Sequence, residues 1–184
     1  MQLHIAGKRC HVGTGGKPFD PAGSPYPPLL LIHGAANDRD CWRIVAGGLT
    51  AGGCSVLVPD LPGHGQSAGP PLHSIEALAD WLPALLDAAG VDRALLVGHS
   101  MGSLIALECA ARHPQRVSSL ALLGSSAPMP VADALLNRAE THPDSVVRLM
   151  TEYSHRLQFL LTGGGGHGIW GPGATLAIMR RSPP

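Results

Sequence analysis

The chain has 184 residues, 45 % of them apolar, and its 13 Lys+Arg are balanced by 13 Asp+Glu. That length suits one domain or at most two small ones, and the apolar share excludes wholesale disorder. Zero net charge offers no basic field to hold nucleic acid or anionic lipid, and no apolar run approaches the ~18 residues of a membrane span.

The start, Met1-Gln2-Leu3-His4-Ile5, lacks the basic and apolar regions of a secretory leader, so a cytoplasmic location is expected. Cys10, Cys41, Cys54 and Cys109 show no CxxC spacing and are expected to be free thiols, with Cys54 and Cys109 buried in apolar surroundings. The ten histidines have no ligand-pair spacing, so no metal or other cofactor is implied.

Residues 1–12 read as one or two short strands, and the Gly- and Pro-rich stretch 13–28 as loop. Four short apolar runs follow: Leu29-Leu30-Leu31-Ile32, Val56-Leu57-Val58, Ala94-Leu95-Leu96-Val97 and Leu120-Ala121-Leu122-Leu123. Runs apolar on both sides fit strands covered on both faces, as in a parallel sheet. Helical patterns lie between them. Asp40 is placed to cap a helix carrying Trp42, Ile44, Val45 and Leu49. Ser74 is placed to cap one carrying Ile75, Leu78, Ala79, Leu82, Leu85 and Leu86, closed by Gly90 and kinked or split by Pro83. A third helix spans Met101 to Arg112 and stops at His113-Pro114. This alternation predicts the α/β class with a mostly parallel, doubly wound sheet.

After Gly124 the alternation stops. Residues 131–161 look helical, and a Gly tract around Gly163–Gly166 leads to the Pro-rich end. The expected organisation is therefore a sheet core over 1–124 and a helical cap segment with a Gly/Pro-rich tail over 125–184.

The third run leads directly into Gly98-His99-Ser100-Met101-Gly102, and a helix follows. G-x-S-x-G between strand and helix puts a serine on a sharp turn, its hydroxyl above the sheet edge beside free helical N–H groups. Ser100 is the candidate nucleophile, and it needs a base to take its proton. The first run exits through His33-Gly34-Ala35, where a backbone N–H can face the same point. Ala35 N–H and Met101 N–H are the candidate oxyanion donors. His33 and Gly34 are expected to hold or line that loop, and His99 to line the elbow. Asp60 opens Asp60-Leu61-Pro62-Gly63-His64-Gly65-Gln66-Ser67, a tight loop it is expected to brace. Trp42 is expected in the core or a pocket wall, Trp81 in helix packing, and Trp170 in the cap or tail.

These residues, in this order and after successive strands, resemble the α/β-hydrolase superfamily. The resemblance is carried by His33-Gly34, Asp60 to Ser67 and Gly98 to Gly102, and covers residues 29–124. It implies a serine nucleophile, an oxyanion hole on Ala35 and Met101, and a helical cap after Gly124. The carboxylesterase, lactonase and lipase-like branches look closest, because haloalkane dehalogenases and epoxide hydrolases carry Asp at the elbow. A small-molecule ester is the expected partner. In the family the triad acid and histidine follow the serine along the chain, which sets Asp60 aside. The later acids are Glu108, Asp133, Glu140, Asp144 and Glu152, and the later histidines His113, His142, His155 and His167. None sits after a visible strand, and His167 is the least poor substitute. The triad acid and histidine are therefore unassigned. The expectation is a fold incomplete at its C-terminal end, with a His–Asp pair beyond Pro184 or on another polypeptide. The alternative from another class is a non-catalytic module binding through the same cleft. An uncovered sheet edge would favour self-association.

Overall fold

The computed structural model describes residues 1–151 and 177–180. Six strands form one sheet: β1 (Gln2–Ile5), β2 (Lys8–Gly13), β3 (Leu29–Ile32), β4 (Val56–Pro59), β5 (Ala94–His99) and β6 (Val117–Leu123). Their spatial order is β1-β2-β4-β3-β5-β6. The last four strands pair in parallel, while the β1–β2 hairpin joins β4 antiparallel. The sheet is thus mostly parallel and helix-flanked, as the alternating pattern predicts.

The strand pleat sorts the apolar runs into two cores. Leu29, Leu31, Val56 and Val58 pack with Trp42 and Ala46. Leu30, Ile32, Leu57 and Leu96 pack with Leu78, Leu82, Leu86 and Ile105. Helix α1 (Arg43–Ala51) contributes to the first core, and α2 (Ile75–Ala88) and α3 (Met101–Arg112) to the second. Burying residues on both faces leaves β3 and β4 with no exposed residue.

Four local expectations are corrected. Asp38, not Asp40, opens the first helical segment: its carboxylate accepts the Asp40 N–H at 2.9 Å, starting a 3-10 turn over Arg39–Trp42. Ile44 and Val45 consequently face solvent, and Trp42, Ala46 and Thr50 are buried instead. Second, α2 runs unbroken through Pro83, because Leu78, Ala79, Leu82, Leu85 and Leu86 bury one continuous stripe around it. Its ends follow the sequence signals: Ser74 Oγ accepts the Ala77 N–H at 3.0 Å, and Gly90 takes φ +69° just beyond. Third, Cys54 is only half-buried; Cys10 and Cys109 are buried, and all four cysteines are free thiols. Fourth, β6 is not covered on both faces. Leu120, Leu122 and Leu123 are exposed, β6 being the edge of the sheet among the described residues.

Beyond β6, helix α4 (Asp133–Thr141) buries none of its residues, and residues 143–151 are helical. Glu152, His155, His167, Trp170 and the Gly tract lie outside the described residues. Among the described residues no helix is long and apolar enough to cross a membrane.

Candidate active site

Strand β5 ends at His99, α3 starts at Met101, and Ser100 is the single residue that turns the chain between them. Its φ of +53° and ψ of −123° lie in a region non-glycine residues rarely occupy. The flanking glycines make the turn possible. A Cβ on Gly98 would lie 2.1 Å from the Gly102 carbonyl oxygen, and one on Gly102 would lie 2.3 Å from that of Ile32. The elbow is therefore wedged against the exit of β3. Its peptides are also tied: Ser100 N–H donates to Leu123 O at 2.9 Å, and the Ser103 N–H and hydroxyl donate to Ser100 O at 2.8 and 2.5 Å. Among the described residues, no histidine or carboxylate is hydrogen-bonded to the Ser100 hydroxyl.

The exit of β3 presses on this turn. A Cβ on Gly34 would sit 3.1 Å from His99 O and 3.2 Å from Ser100 Cβ, so a side chain here would crowd the elbow. His33 is fully buried, and its Nε2 accepts the Leu61 N–H at 3.1 Å. That bond fixes the tautomer: the proton is on Nδ1, which donates to Gly34 O at 2.9 Å. Burial pushes the pKa of His33 down to about 3, so the ring is neutral at ordinary pH. Asn37 closes the turn, its N–H donating to Gly34 O at 3.3 Å and its side-chain amide to Ala35 O at 3.0 Å. Ala36 between them takes φ +55°.

At the exit of β4, Asp60 is fully buried. Its carboxylate accepts the Arg39 N–H at 2.8 Å and the Gln66 N–H at 2.9 Å, and pairs with the Arg39 guanidinium. Its own carbonyl accepts the Ser67 hydroxyl at 2.8 Å, and its N–H donates to His11 O at 2.9 Å. Among the described residues, the hydrogen bonds of Asp60 stay within the loop and its neighbours, and none reaches Ser100. His64 donates from Nδ1 to Pro62 O at 3.0 Å, and its ring lies 5.2 Å from that of His33.

His99 keeps its ring at the surface, with the Trp42 ring edge-on at 6.5 Å. Desolvation by neighbouring protein lowers its pKa. Trp42 is buried in the first core, and Trp81 is half-buried against the second. The later acids and histidines within the described residues are engaged elsewhere or exposed. His113 bonds Asp80 at 2.7 Å beside Arg112, Glu108 lies 3.7 Å from Arg112, and Asp144 lies 3.5 Å from Arg180. Asp133 sits in the first turn of α4, and Glu140 and His142 are on its outer end. Sequence reasoning missed Asn37 and Arg39. An Asn three residues beyond Gly34 is a turn signal that could have flagged the first; nothing local pairs Arg39 with Asp60.

The sequence pattern of the alpha/beta hydrolase fold family matches residues 27–151. Over 109 residues the chain is 38 % identical to a dihydrolipoyllysine-residue acetyltransferase component of an acetoin cleaving system from Pseudomonas putida, covering 59 % of this chain and 29 % of that protein. It is 39 % identical over 102 residues to a pimeloyl-[acyl-carrier protein] methyl ester esterase from Aromatoleum aromaticum, covering 54 % of this chain and 38 % of that one. An esterase from Exiguobacterium antarcticum shares the fold with a TM-score of 0.68 at 18 % identity, over 99 % of this chain and 74 % of that structure. The chain thus spans about a third of the length of the curated relatives it matches.

Proposed function

Since the chain belongs to the α/β hydrolase fold family, we propose that it carries the nucleophile and oxyanion hole of a serine hydrolase acting on small carboxylic esters. The observation that supports this most is the strained serine between Gly98 and Gly102, wedged against the exit of β3. A serine held at φ +53° at the start of a twelve-residue helix presents its Oγ outward, clear of the backbone that shapes the turn.

In the proposed reaction Ser100 Oγ attacks the ester carbonyl carbon. Ala35 N–H and Met101 N–H donate hydrogen bonds to the carbonyl oxygen as it becomes negative, each donor being worth about 3–4 kcal/mol at the transition state. The tetrahedral intermediate collapses, the alcohol leaves with a proton, and water hydrolyses the acyl-serine. No group among the described residues is placed to move those protons. This reading therefore needs a His–acid pair from outside them or from a second polypeptide. The same observation favours one alternative, a module that binds ligands in the cleft without turnover.

A fluorophosphonate probe followed by mass analysis separates the two. A covalent adduct on Ser100 is expected, absent in Ser100→Ala, together with loss of about 10⁴-fold or more in p-nitrophenyl acetate turnover. Folded protein that takes no adduct would leave only the binding module.

A further inference from the structure

We infer that His33 is a positioning residue that aims the Ala35 N–H at the oxyanion, by holding the Gly34 carbonyl on the buried side of the β3 exit. This rests on the ester-hydrolase reading above.

The geometry follows from the planarity of the peptide bond. In a trans peptide the C=O and the N–H point in opposite directions, so fixing one fixes the other. The Gly34 carbonyl and the Ala35 N–H belong to one peptide unit. That carbonyl is held by two donors, His33 Nδ1–H at 2.9 Å and Asn37 N–H at 3.3 Å. His33 is fully buried, and Leu61, whose N–H orients its ring, is fully buried too. The carbonyl is therefore drawn inward, and the Ala35 N–H is turned toward the half-open side of the loop. Gly34 itself lies against the elbow: a Cβ on it would sit 3.1 Å from His99 O and 3.2 Å from Ser100 Cβ. The relay runs from Leu61 N–H to His33 Nε2, and from His33 Nδ1–H to Gly34 O. Each link requires the neutral ring with its proton on Nδ1.

Two substitutions separate positioning from mere support. An asparagine places an amide N–H where Nδ1–H stands but cannot reach Leu61. A glutamine places a carbonyl where Nε2 stands and leaves the Gly34 carbonyl with only the longer bond from the Asn37 N–H. With p-nitrophenyl acetate as substrate, His33→Gln is expected to lose at least about tenfold in kcat with KM within about twofold, since removing an oxyanion donor costs about 10²–10³. His33→Asn is expected to rescue most of that loss. Equal losses in both variants, or rescue by glutamine instead, would overturn the inference. Should His33→Gln fail to fold, a loss beyond about tenfold in folded His33→Asn would overturn it equally.

If wild-type protein shows no turnover, the ester-hydrolase reading is decided separately, by the fluorophosphonate adduct on Ser100. The positioning is then read from the Ala35 amide resonance in two-dimensional ¹⁵N–¹H spectra. It must move further in His33→Gln than in His33→Asn, both of which lose the ring itself. Equal displacement in both would sink the proposal.

Discussion

Strands β3 and β6 each carry a four-residue apolar run, and the two runs have opposite fates. Leu29–Ile32 has all four residues buried, whereas Val117–Leu123 buries only Val117. The difference lies in what covers them. β3 sits in the middle of the sheet with α1 on one face and α2 and α3 on the other, while β6 is the edge. The candidate site follows the same division. Ser100, Gly34 and Asp60 all leave from β5, β3 and β4, where the surroundings are densest and backbone strain can be held. The other side of the sheet contributes the Leu123 carbonyl that accepts the Ser100 N–H. Precise geometry is stored where the layers close.

The largest effect should come from breaking that closure at the elbow. Gly102→Ala would put a methyl carbon 2.3 Å from Ile32 O and 2.7 Å from His33 O, both backbone atoms that cannot swing away. A loss of about 3 kcal/mol or more is expected, at the upper end of overpacking costs. Urea denaturation measures it, and a variant within 1 kcal/mol of wild type (a margin of about the smallest overpacking cost) would contradict the wedge. Next, Leu31→Ala should cost about 3 kcal/mol, while Leu122→Ala on β6 should cost about 0.5 kcal/mol or less. Equal losses would mean that the two strands are covered alike.

Acid tests the same region through His33. Its folded pKa is pushed down to about 3, against about 6.5 for an unfolded chain. Between those values the unfolded chain takes up a proton that the folded one does not. Stability therefore falls as pH drops from about 6.5 toward 3, and this contribution is constant above that window. A difference of about 2–4 kcal/mol across the window is expected between wild type and His33→Asn, which has no such proton to take up. Parallel pH profiles of the two proteins would refute it. The smallest effect is at the start of α2. Ser74→Ala removes the acceptor for Ala77 N–H and should cost about 1 kcal/mol, read as a fall in the denaturation midpoint without change in slope.

Much of the central half was legible in the sequence. Continuous apolar runs marked β3, β4 and β5, because a strand buried on both faces leaves no polar alternation to hide it. Ser74 and Gly90 marked α2, because capping is a local hydrogen-bonding matter. The elbow was legible because strand, G-x-S-x-G and helix occur in one stretch of chain. What stayed hidden depended on residues far apart. Asp40 was the expected cap, but Asp38 takes the Asp40 N–H and Asp60, 21 residues on, takes the Arg39 N–H where the 3-10 turn starts. The exposure of β6 was hidden because the apolar run is the same whether or not a helix lies above it. His33 was legible as a loop residue, but its bond to Leu61 required knowing that the exits of β3 and β4 lie side by side.

The hairpin at the start of the chain sets an order of assembly. β5, α3 and β6 form one contiguous unit over 94–123, so its contacts are local and cheap to close. β2 meets β4 across more than forty residues, and only then can Asp60 N–H find His11 O and Ala68 N–H find Arg9 O. Loop-closure entropy must be met before those contacts form. The turn bearing Ser100 should therefore acquire its shape early in refolding. The loop over 60–68 should wait until the chain's first strands arrive, and pulsed hydrogen exchange would show protection in that sequence.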